Sequence, residues 1–445
     1  MRRPEHRPEV KAPPRWTFPE PARWWLDNGL QMLAFHRPDQ HIAAVSLVLD
    51  TPLSTEPSDI EGVATITQRC LDEGTATHPG PAFAERLEDI GALLSGSAGY
   101  AASDLLLEVP ASRLSEALLL LAQAMSEPEL RASDVDRHQS LRLAEIEHTM
   151  ANSSNRAQVA FRHACIPGRF RASRLAGGTA ATVAAIASDD VAAYHARHYR
   201  PEGATLVISG DLTNEVYHQA AAAFGGWEVQ GTLGVHHQTP VSRTPHCWLI
   251  DRPGAVQADI RLGGFGIDRG DPRWADLQVA THALGGAFLS RLNRVLREEK
   301  GFTYGVHLVN SPMRDGGLLA VQGSFRTEVV PEALDLARQL LDVTGEPITT
   351  SEVLDSVNYI NGIAPLRYST AQGVTERVSS LVGAGLSAEF VNSNALALTR
   401  VTPESATQAL TELLPPDALT LVVVGDAEAL REPLVAAGWP VTLKA

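Results

Sequence analysis

The chain has 445 residues, 44% of them hydrophobic and 20% charged, the balance of an ordinary globular protein with room for two or three domains. Its 52 Asp and Glu against 37 Lys and Arg leave a formal charge of −15, which repels nucleic acids and anionic bilayers, so neither is an expected partner. Three scattered cysteines, Cys70, Cys165 and Cys247, exclude a disulfide framework or a thiolate zinc site and point to a reducing, cytoplasmic location. No run reaches the roughly 18 apolar residues that span a bilayer. In chain order, residues 1–20 are charged, proline-rich and expected to be disordered. Strand-like runs follow at LQMLAFHR (30–37) and AAVSLVLD (43–50), bounded by Pro, Asp and Asn. Helical spacing appears over 59–72 and over 113–126, the latter bracketed by Pro110 and Pro128.

Self-similarity then organises the rest. PEGATLVISGD (201–211) and PDALTLVVVGD (416–426) are each a proline-led turn feeding a β-branched run that ends in Gly-Asp, 215 positions apart. At the same offset Arg37-Pro38 faces Arg252-Pro253, each ahead of a strand-like run. Either pair alone reads as coincidence; one shared offset reads as duplication. Each half carries a strand pair, a long helix, a strand, further helices and a last strand, with no glycine-rich phosphate loop after the first strand. This predicts an α+β fold of two homologous halves. The expected layout is a domain over 21–227, a linker over 228–246 and a domain over 247–445. The linker, rich in Gly, Thr, Pro and His, contains His236 and His237, which read as solvated residues and not ligands.

Two segments decide the chemistry. The first, Glu61-Gly62-Val63-Ala64-Thr65-Ile66-Thr67-Gln68-Arg69 followed by Gly74-Thr75, resembles the pitrilysin and mitochondrial-processing-peptidase (insulinase-type) family of zinc metallopeptidases, whose segment runs Gly-Leu-Ala-His-x-x-Glu-His. In that family the two histidines, four apart on one helical face, hold zinc, and the glutamate activates water. Here those places hold Thr65, Gln68 and Arg69. Threonine is a poor zinc ligand, glutamine accepts no proton, and a guanidinium beside a dication is repulsive. The family's third ligand maps onto Glu145, 76 positions after Arg69, while His138 stands where another Glu often sits. A replacement site from Glu145, Glu147, His148 and His138 lacks two histidines spaced i, i+4. The resemblance therefore implies no metal in this chain and no hydrolysis by it alone. His195 and His198 form an HxxH pair in HARHYRPEGATLVISGDL, but the resemblance makes the latter a structural residue, and neither is expected to be a ligand.

The second segment, GGAFLSRLNRVLREEKGFTYGV (285–306), resembles the family's C-terminal motif, in which an Arg and a Tyr seven residues later, here Arg297 and Tyr304, face the zinc half across a cleft. A helix is expected over 288–300 with Gly301 as its C-cap, and Tyr304 is expected to begin a strand. On spacing alone, Arg297 pairs with Glu298 or Glu299 and Tyr304 packs as a core tyrosine; the full string favours a role in the cleft. The resemblance covers roughly residues 27–430, including Asn28-Gly29-Leu30 and GALLSGSAGYAASDLLLEVP (91–110), and implies metallopeptidase-like roll domains facing each other as a clamshell. A lost zinc motif beside a kept Arg–Tyr pair implies the non-catalytic subunit of a heterodimeric peptidase. It would lend Arg297 and Tyr304 to a homologous HxxEH partner that carries the zinc and acts on peptides. The competing expectation is a structural homologue with no catalytic part, and the least favoured is a stand-alone peptidase with relocated ligands. The sheet edge that binds substrate as an added strand in the zinc subunit maps here to about residues 95–104, and is expected to be idle.

Overall fold

The computed structural model describes residues 16–229, 235 and 237–444. Of the expected disordered stretch, residues 1–15 lie outside the described residues, but 16–20 are ordered. Trp16 stacks on Tyr368 at 5.6 Å and Phe18 is buried against Phe35 and Tyr368, aromatic burial that the charged flanking composition concealed. The expected linker includes 230–234 and His236, which lie outside the described residues. Its described remainder, up to His246, has neither helix nor strand. His237, expected in solvent, instead places Nε2 2.7 Å from Asp50 Oδ1 and is only 17% exposed along its side chain.

The first half runs β1 (Ala22–Trp25), β2 (Gln31–His36), β3 (Ile42–Leu49), α1 (Val63–Cys70), α2 (Pro81–Asp89), β4 (Leu93–Ala98) and β5 (Ser103–Pro110). It continues through α3 (Leu114–Ser126), α4 (Ala132–Ala151), α5 (Ser153–Cys165), α6 (Ala180–Ala184), α7 (Ser188–His198), β6 (Thr205–Gly210) and α8 (Val216–Phe224). The second half opens with β7 (Cys247–Asp251), β8 (Gln257–Gly266) and α9 (Trp274–Thr281). Two π-helical segments follow, His282–Gly286 and Asn293–Glu299, then β9 (Val306–Pro312) and β10 (Gly317–Arg326). It ends with α10 (Val330–Leu341), α11 (Thr350–Arg367), α12 (Ala371–Gly383), α13 (Phe390–Leu398), α14 (Pro403–Leu413), β11 (Thr420–Gly425), α15 (Ala427–Ala436) and β12 (Thr442–Lys444).

Each half builds one six-stranded sheet, ordered β1-β2-β6-β3-β5-β4 and β12-β7-β11-β8-β10-β9. The shared offset of 215 places β6 on β11 and α7 on α14, residue for residue. Both central strands, TLVISG and TLVVVG, are buried throughout, as their β-branched runs require, and each pairs in parallel with its half's first long strand. The outer strands differ: β1, from the start of the chain, is antiparallel to β2, whereas β12, from its end, is parallel to β7.

One face of each sheet is covered by its own helices, for example Val45, Leu47 and Leu107 by Ile66, Leu118 and Phe224. The other face is covered by the opposite half. Helix α12 lays Val374, Val378 and Leu381 on Leu33, Phe35 and Val207, while α5 lays Ala157, Phe161 and Ala164 on Trp248, Val422 and Val424. Each large apolar side chain buried this way contributes about 1.5–3 kcal/mol. Helices α5 and α12 hold equivalent places in the two repeats, so the exchange is reciprocal. Between the halves lies a crevice of about 420 Å³, lined by Ser46, Val48 and Tyr100 on one side and Arg269, Met313 and Ser379 on the other.

Candidate functional site

Helix α1 is shorter than the expected 59–72 because Gly62, at φ +109°, turns the chain into it, and Glu56 caps its start. Glu56 Oε1 accepts from the N–H groups of Gly62 (2.9 Å) and Ala64 (3.1 Å), the interaction that a helix N-terminus favours. The other Glu56 oxygen takes Arg171 at 2.8 Å, with both side chains sealed from solvent, and Glu61 is held by Arg174. These four charges, of which only Glu61 fell in a motif, fix the motif helix against the 171–174 turn.

On that helix, Thr65 is half-buried and makes no side-chain hydrogen bond among the described residues. Gln68 is buried: its amide donates to the Asp104 carbonyl at 2.9 Å and its oxygen accepts from the Tyr199 hydroxyl at 2.7 Å. Arg69 closes a two-pronged ion pair with Glu145, Nη1–Oε1 3.0 Å and Nη2–Oε2 2.9 Å, and Arg142 adds a third donor at 3.1 Å. The Arg69 hydrogen bonds hold the Glu145 carboxyl below the ordinary carboxylate value. The guanidinium thus supplies the positive charge Glu145 faces, and both carboxylate oxygens are taken. His138 is buried with Nε2 2.8 Å from Glu73, while Glu147 and His148 are exposed on α4, so no replacement cluster forms from them. A space of about 150 Å³ remains between Gln68, Arg69, Gly96 and His138.

Zinc, which the resemblance ties to this motif, does not fit the residues present. The three positions offer a hydroxyl, an amide in use on both ends and a cation, and among the described residues no three His, Cys, Asp or Glu group to hold a metal. Cys70, one residue beyond, is buried and its thiol pushed up to about 12, so it offers no nucleophile. His195 sits with Nε2 2.9 Å from the Met125 carbonyl, and His198 is buried with burial holding it neutral down to about 4.

The second segment is built differently. The helix expected over 288–300 starts only after Ser290, because residues 287–289 form a turn that leaves Phe288 and Leu289 74% and 68% exposed. Arg291 anchors this region: it is buried, pairs with Glu352 at 2.6 Å and donates to the carbonyls of Glu346 and Pro347. Asn293 ties the turn to the next strand, donating to Ser290 Oγ at 3.1 Å and accepting from the Val306 N–H at 3.1 Å. Both residues stand in the quoted string, and neither was singled out from the sequence.

Arg297 lies over the Phe288 ring, 3.8 Å from its centroid, donates to the Phe288 carbonyl at 3.1 Å and pairs with Glu298 at 2.8 Å. The pairing with Glu298 is the one spacing alone predicts. Tyr304 departs from expectation twice. It precedes the strand, which starts at Val306, because the Thr303 hydroxyl bonds Gly305 and the Ser324 carbonyl and holds the chain in a bend. It is also 97% exposed, which rules out a core tyrosine. Neither Arg297 nor Tyr304 makes a hydrogen bond or ion pair with Thr65, Gln68, Arg69 or Glu145 among the described residues. The sheet edge expected near 95–104 is β4, Leu93–Ala98, an outer strand and largely exposed.

No helix among the described residues is long and apolar enough to cross a membrane. Residues 31–169 match the family described as insulinase (peptidase family M16), and residues 185–358 match the one described as peptidase M16 inactive domain. The chain is 22% identical over 352 residues to an uncharacterized zinc protease, YmxG, of Bacillus subtilis, covering 76% of this chain and 82% of that protein. It is 23% identical over 278 residues to the mitochondrial cytochrome b-c1 complex subunit 1 of Bos taurus, covering 60% of this chain and 56% of that one. A peptidase M16 inactive domain from Pseudomonas fluorescens superposes with a TM-score of 0.84 at 22% identity, over 92% of this chain and 98% of the other. With one half matching the insulinase description and the other the inactive-domain description, the chain belongs to peptidase family M16.

Proposed function

We propose that this chain is the metal-free member of a two-subunit peptidase, completing a peptide-binding cleft whose zinc is carried by an HxxEH homologue. The observation that carries the reading is Tyr304, 97% exposed in the same 285–306 segment as an Arg297 stacked on Phe288 and the exposed side chains of Phe288 and Leu289. A phenol wholly in solvent, on a bend held by the Thr303 hydroxyl and followed by the Val306 N–H bond to Asn293, has no part in this chain's own packing and suits a group offered to a partner. Peptide hydrolysis puts negative charge on the scissile carbonyl oxygen. The Tyr304 hydroxyl would donate to that oxygen, and Arg297, already held by Phe288 and Glu298, would add a fixed cation beside it. A second reading, an assembly scaffold without catalytic contribution, is supported by the likeness to a cytochrome b-c1 complex subunit.

The test is reconstitution. The chain is co-expressed with a zinc-bearing homologue, complex formation is followed by size-exclusion chromatography, and a fluorogenic peptide is the substrate. Activity that needs both chains and falls in Tyr304→Phe with assembly intact is the expected result. Full activity in Tyr304→Phe leaves the scaffold reading, and no complex with any such homologue overturns both.

A further inference from the structure

Beside the start of the second motif segment, where Gly286 forms part of its wall, the second half holds an open cavity of about 410 Å³ between α9, α11, α12, α13 and β9, the size range of small-molecule sites. Arg269, Arg367 and Arg377 line it, and no Asp or Glu does. In a chain with a formal charge of −15, that is a local reversal of sign. None of the three makes an ion pair or side-chain hydrogen bond among the described residues. Among the described residues the Nε of Arg377 has no partner and is shut from solvent, as are Trp274 Nε1, Gln278 Oε1 and Asn310 Oδ1, all on cavity-lining residues. Burial weakens the hold of Arg269 and Arg377 on their protons, and Arg377 also repels Arg269.

Arg269 lies over the Trp274 ring at 5.8 Å and Arg377 over the Phe390 ring at 5.9 Å, but a half-buried guanidinium with no anion beside it is costly, and two that repel each other are costlier. Their planar forks match a carboxylate or phosphate with two parallel hydrogen bonds each. The walls complete the description: Trp16 stacked on Tyr368, and Tyr359 stacked on His282 at 4.8 Å, offer flat apolar faces. We propose that this cavity binds a small organic anion, its carboxylate or phosphate held by Arg269 and Arg377 and its planar or apolar body lodged against the aromatic walls. Arg367, exposed at the rim, draws the anion in.

Trp16 and Trp274 line the cavity, so tryptophan fluorescence of the full chain reports occupancy. The probes are phenyl phosphate and benzoate, with inorganic phosphate and neutral phenol for comparison, at constant ionic strength. Saturable quenching by at least one aromatic anion is expected, at least about tenfold tighter than phenol, since charge-assisted bonds set the difference. The stronger of phenyl phosphate and benzoate identifies the anionic group. Arg269→Gln and Arg377→Gln should each weaken it by about ten- to a hundredfold. The same anion should raise the thermal midpoint of the natural chain and leave that of the double variant unmoved. Equal affinity for phenol, quenching by no anion, or undiminished binding in the double variant overturns the proposal. The comparison with phenol needs no variant, so a misfolded variant does not shield it.

Discussion

The motif helix of the first half and the motif turn of the second stand at different places in two copies of one fold, and they are finished in opposite ways. At the motif helix the amide and the cation are both used internally, Gln68 by Asp104 and Tyr199 and Arg69 by Glu145, and only the small Thr65 hydroxyl is left over. At Arg297 and Tyr304 the internal bonds stop short of the phenol, which points into solvent. A region whose charges are all satisfied within the chain has nothing to offer a ligand. A region whose scaffold is rigid and whose tip is bare has a group to spend elsewhere. The contrast argues that the two halves have diverged in what they present, while keeping the same sheet.

The sharpest way to break the comparison is to reopen the closed region. Because Glu145 already faces position 69, Thr65→His with Gln68→Glu and Arg69→His should raise the zinc retained after dialysis to about one per chain, with none expected in the natural chain, both measured by metal analysis. A triple variant that folds and holds none shows that the neighbours, and not the three side chains, exclude the metal.

Next in size is the open region. In the reconstituted complex, Tyr304→Phe should lower kcat by about 10²–10³-fold with a smaller change in KM, the effect of deleting one oxyanion donor. Arg297→Ala should cost more and raise KM as well, since it removes a cation together with its packing on Phe288. Equal sensitivity of free-chain stability to both substitutions would mean that they serve the fold.

Gly96→Ala probes how tightly Gln68 is packed. A methyl at that strand position meets Gln68 Nε2 at 2.3 Å, so the amide must give up Asp104, and a loss of about 1–3 kcal/mol in urea denaturation is expected. An unchanged midpoint would show the amide to be loosely held.

The smallest effect belongs to the Arg69–Glu145 pair itself. With 30% and 43% of the two side chains exposed, solvent screening limits its worth, and Arg69→Met should cost about 0.2–1 kcal/mol at pH 7. The folded-state pKa of Glu145 lies below its ordinary value, 4.5, so the contribution is fully present above that value. It fades as pH falls through the folded value, and chemical denaturation at pH 7 and pH 3 should show the variant's deficit shrinking.

Much of this was legible from residues alone, for physical reasons. The duplicated strands announced themselves because a fully buried parallel strand must be a continuous apolar run, and both ended in the same Gly-Asp turn. The three substituted motif positions were legible because zinc tolerates few ligand types. The Arg69–Glu145 bond was not read, although the spacing of 76 was in view, since sequence distance carries no direction for a side chain. The Glu56–Arg171 pair and the Arg291 anchor were missed because they join segments 115 and 61 residues apart with no local period to mark them. The bend at Tyr304 hid behind a strand-like composition and depended on one threonine hydroxyl.

The reciprocal laying of α5 and α12 on the opposite sheets has a mechanical consequence. Severing the chain within 228–246 would free no self-sufficient fragment: each piece would carry one helix whose apolar stripe has lost its seat and one sheet with a naked face. Separate expression of residues 21–227 or 247–445 should therefore give aggregates, and the two nicked pieces should stay together until they melt as one. The repeat seen in the sequence is thus an interlock, with the thermodynamic indivisibility of a single body.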